Sequence, residues 1–397
     1  MPRLLPVAFI ALLVACLTVP LLQTLFPVFG TIVKPVNEHR APHAFPSLQL
    51  LTRAHGDFAD GLNKWFDDRA GFRDLFIRAK NQIDYSVFST SRRVYVGSDD
   101  WLFERDPGLP LERLDAAGFE ALTASFGDLA RRLQEKGLRL VVVGYPDKSM
   151  VYPEHVPANG RLLLPGGNHD RLRRFLSNSD ALTFIDVEDI LRREKPANPE
   201  HLYFKTDLHA TAFAQVAVAR EIVARIAQIE NRGDVTLNET FGRLHDLWDA
   251  GNEARFLAPL VPVVEKVTGL GGAYVVGGQD STGRWTVPDI REFDRAEEGI
   301  APLFAWEYQS TDDLCARRLP GTVLWGNSFA DLYSAVGLHR YFCSFRRFHI
   351  QNSRIAFDRL ALLLDSVPPG TKYFIYQYYA PLLHNAPFVG FTAQRAQ

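Results

Sequence analysis

Residues 140–143, Leu-Val-Val-Val, sit inside an apolar run over 138–144 that leaves no room for an alternating solvent face. A strand of this kind must be covered on both sides, which in practice means a parallel sheet between helices. From residue 111 the chain repeats the matching pattern. Helical periodicity over 116–136 precedes that strand. A helix over 171–176, a strand over 182–187, a short helix over 187–193 and a long helix over 210–229 follow. The order resumes at 322 with a strand, then a strand over 340–349, a helix over 354–364 and a strand over 372–378. The expected class is α/β with a mostly parallel sheet and right-handed crossovers, and ligands on such sheets sit beyond the strands' carboxyl ends. Residues 235–319 break the pattern with many glycines and short alternating runs. They read as a β-rich insertion packed beside the sheet, forming a wall of a substrate groove.

The amino-terminal end carries a second constraint. Residues 4–33 contain no charge, and about 20 apolar residues are enough to cross a bilayer. The run is longer than a secretory signal's apolar region, so 1–33 is expected to be an uncleaved membrane anchor, with Arg3 weakly placing the terminus in the cytoplasm. Leu13-Val14-Ala15-Cys16 also has the form of a lipoprotein cleavage box, which keeps lipidation at Cys16 open. Residues 34–49 read as a linker and 50–397 as the exported domain. That domain starts with helical periodicity over 50–88, interrupted by the charged corner at 67–74. A hairpin is expected around 97–100.

Composition removes whole classes of partner. A formal charge of −2 with no basic stripe argues against nucleic acid. Three cysteines exclude a disulfide scaffold, and without a tight Cys/His cluster neither a metal site nor a cofactor is expected. In an oxidising compartment Cys315 and Cys343 are free to pair, and they flank the stretch that carries the chemistry.

That stretch is Val323-Leu324-Trp325-Gly326-Asn327-Ser328-Phe329. It reads as a buried strand turning sharply into an amphipathic helix over 330–338. The turn places the Ser328 hydroxyl beside helix N–H groups able to hold an oxyanion, although Asn and Ser before a helix also serve as simple caps. A serine nucleophile needs a base and an orienting carboxylate. Asp207-Leu208-His209, just before the helix over 210–229, offers both, with an N-cap pair as the structural alternative. Asp147 and Lys148 lie at another strand's carboxyl end, either in a solvated loop or facing substrate. Gln377 is a candidate donor to an oxyanion at the same edge, beside Asn327.

Gly326-Asn327-Ser328 resembles the Gly-Asp-Ser turn of SGNH hydrolases, and Asp207-Leu208-His209 resembles their Asp-x-His block, here ahead of the serine instead of behind it. That reversed order is similar to the alginate O-acetyltransferase family of AlgJ and AlgX. Three further blocks fit the same family: Trp65-Phe66-Asp67-Asp68-Arg69-Ala70-Gly71-Phe72, Gly97-Ser98-Asp99-Asp100-Trp101-Leu102-Phe103 and Tyr145-Pro146-Asp147-Lys148-Ser149. The resemblance implies an SGNH-like sandwich in which Ser328 accepts an acetyl group, His209 is the general base and Asp207 orients it. It further implies a polysaccharide acceptor, a membrane-bound O-acyltransferase as donor partner, and a single-pass inner-membrane protein with its catalytic domain in the periplasm. Asn327 departs from the family's Asp. The end of the last strand, Tyr376-Gln377-Tyr378, lacks the family's arginine.

Overall fold

The computed structural model describes residues 4–26, 29–30, 32–33, 36, 41–53, 55–105, 111–163, 167–198, 201–236, 247–249, 257–261, 263, 265–267, 278–279, 285–286, 291–292, 305–330, 333, 336–349, 364–365 and 367–385. Helix α1 spans Leu4–Leu25. α2 (His55–Arg69) and α3 (Arg73–Phe88) meet at the charged corner, where Phe72 adopts a left-handed φ of 64°. A hairpin of β1 (Val94–Val96) and β2 (Leu102–Glu104) follows, as its turn residues predict.

The domain centres on a seven-stranded sheet. Its strands are β3 (Arg139–Tyr145), β4 (Thr183–Asp186), β5 (Arg291–Glu292), β6 (Ala305–Gln309), β7 (Gly321–Gly326), β8 (Ser344–His349) and β9 (Thr371–Tyr379), in the spatial order β4-β3-β9-β7-β8-β6-β5. β4, β3, β9, β7 and β8 run parallel, while β6 pairs antiparallel with β8 and β5 with β6. Helices α4 (Ala116–Glu135) and α5 (Gly167–Ser177) cover one face. On the other lie α6 (Val187–Glu194) and α7 (Ala212–Ile229).

The period of two assigns each side chain to its layer. Val141, Val143 and Tyr145 of β3, Leu324 of β7 and Tyr373, Ile375 and Tyr379 of β9 pack with α7. Leu140, Val142, Val323, Trp325, Phe374 and Tyr376 pack with α4, whose Phe119, Leu122, Phe126, Leu129 and Leu133 recur at helical spacing. Each such side chain contributes roughly 1.5–3 kcal/mol on burial. The uninterrupted apolar runs of the sequence are therefore two interleaved rows, one per face.

Two expectations change, and two others fall largely outside the described residues. Residues 305–309, read as part of an insertion beside the sheet, form β6 within it, and β5 joins as the outermost strand; the rest of that stretch lies mostly outside the described residues. The strand expected from 340 begins only at Ser344, because Leu338–Tyr341 is a 3-10 turn entered through Gly337 at φ 77°. Leu319 then clasps this segment, accepting from Cys343 N at 2.7 Å and donating to Tyr341 O at 2.9 Å. The helix expected over 354–364 lies almost wholly outside the described residues. So do residues 331, 332, 334 and 335 of the helix expected over 330–338; the chain enters that stretch through a 3-10 turn, Ser328–Ala330.

Candidate active site

β7 ends at Gly326, at the carboxyl edge of the sheet, and the chain turns at once. Gly326 has no substitute here: a Cβ would fall 2.6 Å from Gln377 Oε1 and 3.2 Å from Ala330 Cβ. The following residues are held individually. Asn327 N donates to Gln377 Oε1 (3.1 Å), Asn327 Oδ1 accepts from Phe329 N (3.1 Å), and the Asn327 carbonyl accepts from Ala330 N (3.0 Å) and Arg347 Nη2 (3.1 Å). One residue on, the Phe329 carbonyl accepts from Gln215 Nε2 at 2.7 Å. Gln215 is fixed in turn by the Tyr145 hydroxyl (2.8 Å), which takes its own hydrogen bond from Tyr333 (2.8 Å). Every neighbour of Ser328 is tied to the core while its own side chain stays partly exposed.

The second loop is a narrow excursion ahead of α7. An antiparallel bridge pairs Tyr203 with Ala210, and Thr211 N donates to Leu202 O at 2.9 Å. Thr211, not Asp207 or His209, occupies the position before the helix, so the capping alternative for Asp207-Leu208-His209 does not apply. Asp207 Oδ1 accepts from His209 N at 2.8 Å and lies 2.5 Å from His209 Nδ1. A carboxylate at that nitrogen selects the tautomer with hydrogen on Nδ1, leaving Nε2 as an acceptor. Nε2 lies 2.7 Å from Ser328 Oγ. The His209 ring packs on Phe329 with centroids 4.9 Å apart. The structure thus brings together Ser328, His209 and Asp207 in a relay able to draw a proton from a hydroxyl to an imidazole.

Lys148 and Asp147 are both buried instead of lying in a solvated loop. Lys148 is 1% exposed. Its ammonium donates to the carbonyls of Lys205 (3.1 Å), Asp207 (3.0 Å) and, more distantly, Phe204 (3.4 Å), bracing the loop that carries His209. Asp147 caps the short helix Lys148–Val151 through Ser149 N (2.9 Å) and accepts from the Tyr379 hydroxyl (2.6 Å). Burial, and then the adjacent Asp147 carboxylate, push the Tyr379 phenol upward, so it stays a donor at neutral pH.

Gln377 is engaged by the backbone around the turn. Fully buried, it gives its amide to Tyr378 O (3.1 Å) and accepts from Asn327 N. Asn327 likewise uses its side chain on the turn, which also occupies the Phe329 and Ala330 amides. Sequence reasoning missed Gln215, Tyr145, Tyr333 and Arg347; the only available signal was a polar residue within otherwise apolar rows. Cys315 and Cys343 form a disulfide, with Cα atoms 4.5 Å apart, across a sequence separation of 28 residues that contains β7 and Ser328. Closing a loop of that size is worth roughly 3–4 kcal/mol in the chain-entropy account. Among the described residues no group of three or more His, Cys, Asp or Glu could hold a metal.

A twisted, largely parallel sheet with a serine turn at its carboxyl edge is the architecture of an SGNH-like hydrolase fold. Residues 94–254 match the family model described as an SGNH hydrolase-like domain, acetyltransferase AlgX. That stretch holds Asp207 and His209, and Ser328 lies beyond it. Among curated proteins the chain is similar to the probable alginate O-acetylase AlgJ of Pseudomonas aeruginosa, 28% identical over 177 residues, which are 44% of each chain. It is also similar to AlgJ of Pseudomonas syringae pv. tomato, 26% identical over 189 residues, 46% of each. The match thus spans less than half the length of these relatives. Among solved structures, Bacillus cereus PatB1 aligns at a TM-score of 0.47 and 14% identity, over 73% of this chain and 97% of that one. The O-acetyltransferase domain of Pseudomonas putida AlgJ aligns at 0.43 and 14% identity, over 73% and 92%.

Proposed function

We propose that this chain is a membrane-anchored O-acetyltransferase that moves acetyl groups onto hydroxyls of an exported polysaccharide. The observation that carries the reading is the continuous Asp207–His209–Ser328 relay, in a chain whose His-bearing segment matches an acetyltransferase family model. In this mechanism His209 Nε2 takes the Ser328 proton as Oγ attacks the acetyl carbonyl, and Asp207 stabilises the imidazolium. With the Phe329 and Ala330 amides used within the turn, the Ser328 amide would supply the backbone donor to the developing oxyanion. Collapse expels the donor's leaving group, protonated by His209, and leaves acetyl-Ser328. A sugar hydroxyl then attacks, giving its proton to His209, and collapse returns that proton to Ser328 Oγ as the acetylated sugar leaves.

α1 is long and apolar enough to cross a membrane. With the Cys315–Cys343 disulfide it favours a single-pass inner-membrane protein whose domain faces the periplasm. The donor would then be a membrane-bound O-acyltransferase partner. Incubating the full chain with an acetyl ester donor and oligosaccharides of the exported polymer should yield acetylated sugar. Acetate release with no acetylated sugar would make it an acetyl esterase. Binding of polymer without reaction of Ser328 with a fluorophosphonate would make it a scaffold.

Lys148 acts through the loop it braces. Lys148→Met is expected to lower kcat roughly 10- to 100-fold with KM nearly constant, since a small displacement of a catalytic group costs about that much. Lys148→Arg should recover part of the loss. Equal loss of kcat and of folded protein in both variants would reduce Lys148 to a purely structural lysine.

A further inference from the structure

Helix α3 is built inside out. Four of its polar side chains face the body: Arg78 Nη1 donates to Pro259 O (3.1 Å), Asn81 Nδ2 to Ala258 O (3.2 Å) and the Tyr85 hydroxyl to Asp100 Oδ1 (3.3 Å), while Gln82 Oε1 accepts from Val261 N (2.9 Å). These positions recur at helical spacing on one face. The opposite stripe is Phe76, Lys80, Ile83 and Val87, at intervals of four, three and four residues. Phe76, Ile83 and Val87 are 60%, 55% and 66% exposed. A surface helix in water shows the reverse arrangement, so this stripe is suited to an apolar phase.

The position of α3 identifies that phase. The end of α1 sits on the α2–α3 corner: Gly71 N donates to Thr24 Oγ1 (2.7 Å), a Cβ on Gly71 would meet Pro20 O at 2.3 Å, and the Phe29 and Phe72 rings lie 5.8 Å apart. Val36 N also donates to Asp74 Oδ1 at 3.0 Å, in the first turn of α3. The exposed stripe therefore starts where the one candidate membrane span among the described residues ends.

We infer that α3 is an interfacial helix, its Phe76–Ile83–Val87 stripe seated in the bilayer surface on the side of the globular domain. The helix lies in the membrane plane with its apolar face among the upper acyl chains. Lys80, paired with Asp84, extends its stem along that face with its ammonium at headgroup level. The polar face holds the domain through the 258–261 loop, which fixes the domain's orientation to the membrane instead of leaving it on a free tether. This rests on α1 crossing a bilayer, as proposed above.

The test uses the full chain in phosphatidylethanolamine–phosphatidylglycerol liposomes. A nitroxide is placed on the native Cys16, the free thiol among the described residues. In a Cys16→Ala background it is placed at Ile83→Cys, or at exposed Glu120→Cys as a solvent reference. Labels at 16 and 83 should be relaxed by oxygen and shielded from a water-soluble nickel chelate, and the label at 120 the opposite. Adding Phe76→Asp and Val87→Asp should raise chelate access at 83 several-fold with the fold intact, because both side chains are exposed. A shielded Cys16 with position 83 as open as 120 overturns the inference and leaves the anchor standing. An open Cys16 removes the anchor first. Dipolar broadening between labels at 83 would mean that a second copy covers the stripe, which also overturns it.

Discussion

Ser328→Ala is expected to abolish acetyl transfer, with kcat falling on the order of 10⁴- to 10⁶-fold, the scale seen when a nucleophile acting as one unit with its base is removed. The hydroxyl is partly exposed and hydrogen-bonds to His209, so stability should stay within about 0.5 kcal/mol of the parent. Two measurements check this: p-nitrophenol release from its acetate ester, and mass spectrometry of the Ser328 peptide after donor exposure. The parent should trap an acetyl group on that peptide and the variant should not. Unchanged turnover in the variant would assign the chemistry to another residue and leave Ser328 as a turn residue.

Phe329→Ala is expected to have the largest effect on stability of any single change near the site. The ring is 2% exposed. It stacks on Tyr379 with centroids 4.6 Å apart, packs on Tyr145 at 5.1 Å and supports the His209 ring at 4.9 Å. Truncating a buried Phe costs about 3–5 kcal/mol through lost burial and the cavity left behind. Chemical denaturation should show a loss in that range with an unchanged slope. The surviving folded fraction should also turn over slowly, because the cavity frees the imidazole to tilt away from Ser328. Phe329→Leu should fall between the two. A loss under about 1 kcal/mol would mean that the ring is not the shared support of turn and base.

These expectations differ in how far they could be read from the chain. The serine turn was legible because an apolar strand followed by Gly-Asn-Ser is a local pattern. The same holds for the Asp-x-His block before a helix and for the apolar amino-terminal run. The roles of Lys148 and Gln377 were not, since both were judged by their place at strand ends. Strand ends are where substrates bind, yet they are also where loops need bracing. Lys148 turned inward because three backbone carbonyls of one loop converge on its ammonium. Gln377 became an acceptor because the Asn327 amide, pressed close by a glycine, points at it. Neither convergence leaves a trace in composition or periodicity.

The sequence by itself determined the layers: runs of consecutive apolar residues demand cover on both faces, and helices at 3.6-residue spacing provide it. It also determined which residue types stand at the turns. Only the tertiary structure decided that they meet. Ser328 and His209 are 119 residues apart. Their contact depends on β9, almost the last segment of the chain, inserting between β3 and β7, and on the bridge that folds the Asp207 loop back over the sheet edge. Periodicity reports what a segment does with its own neighbours. The order of strands is set by which pairings bury the most surface together, a property of the whole chain.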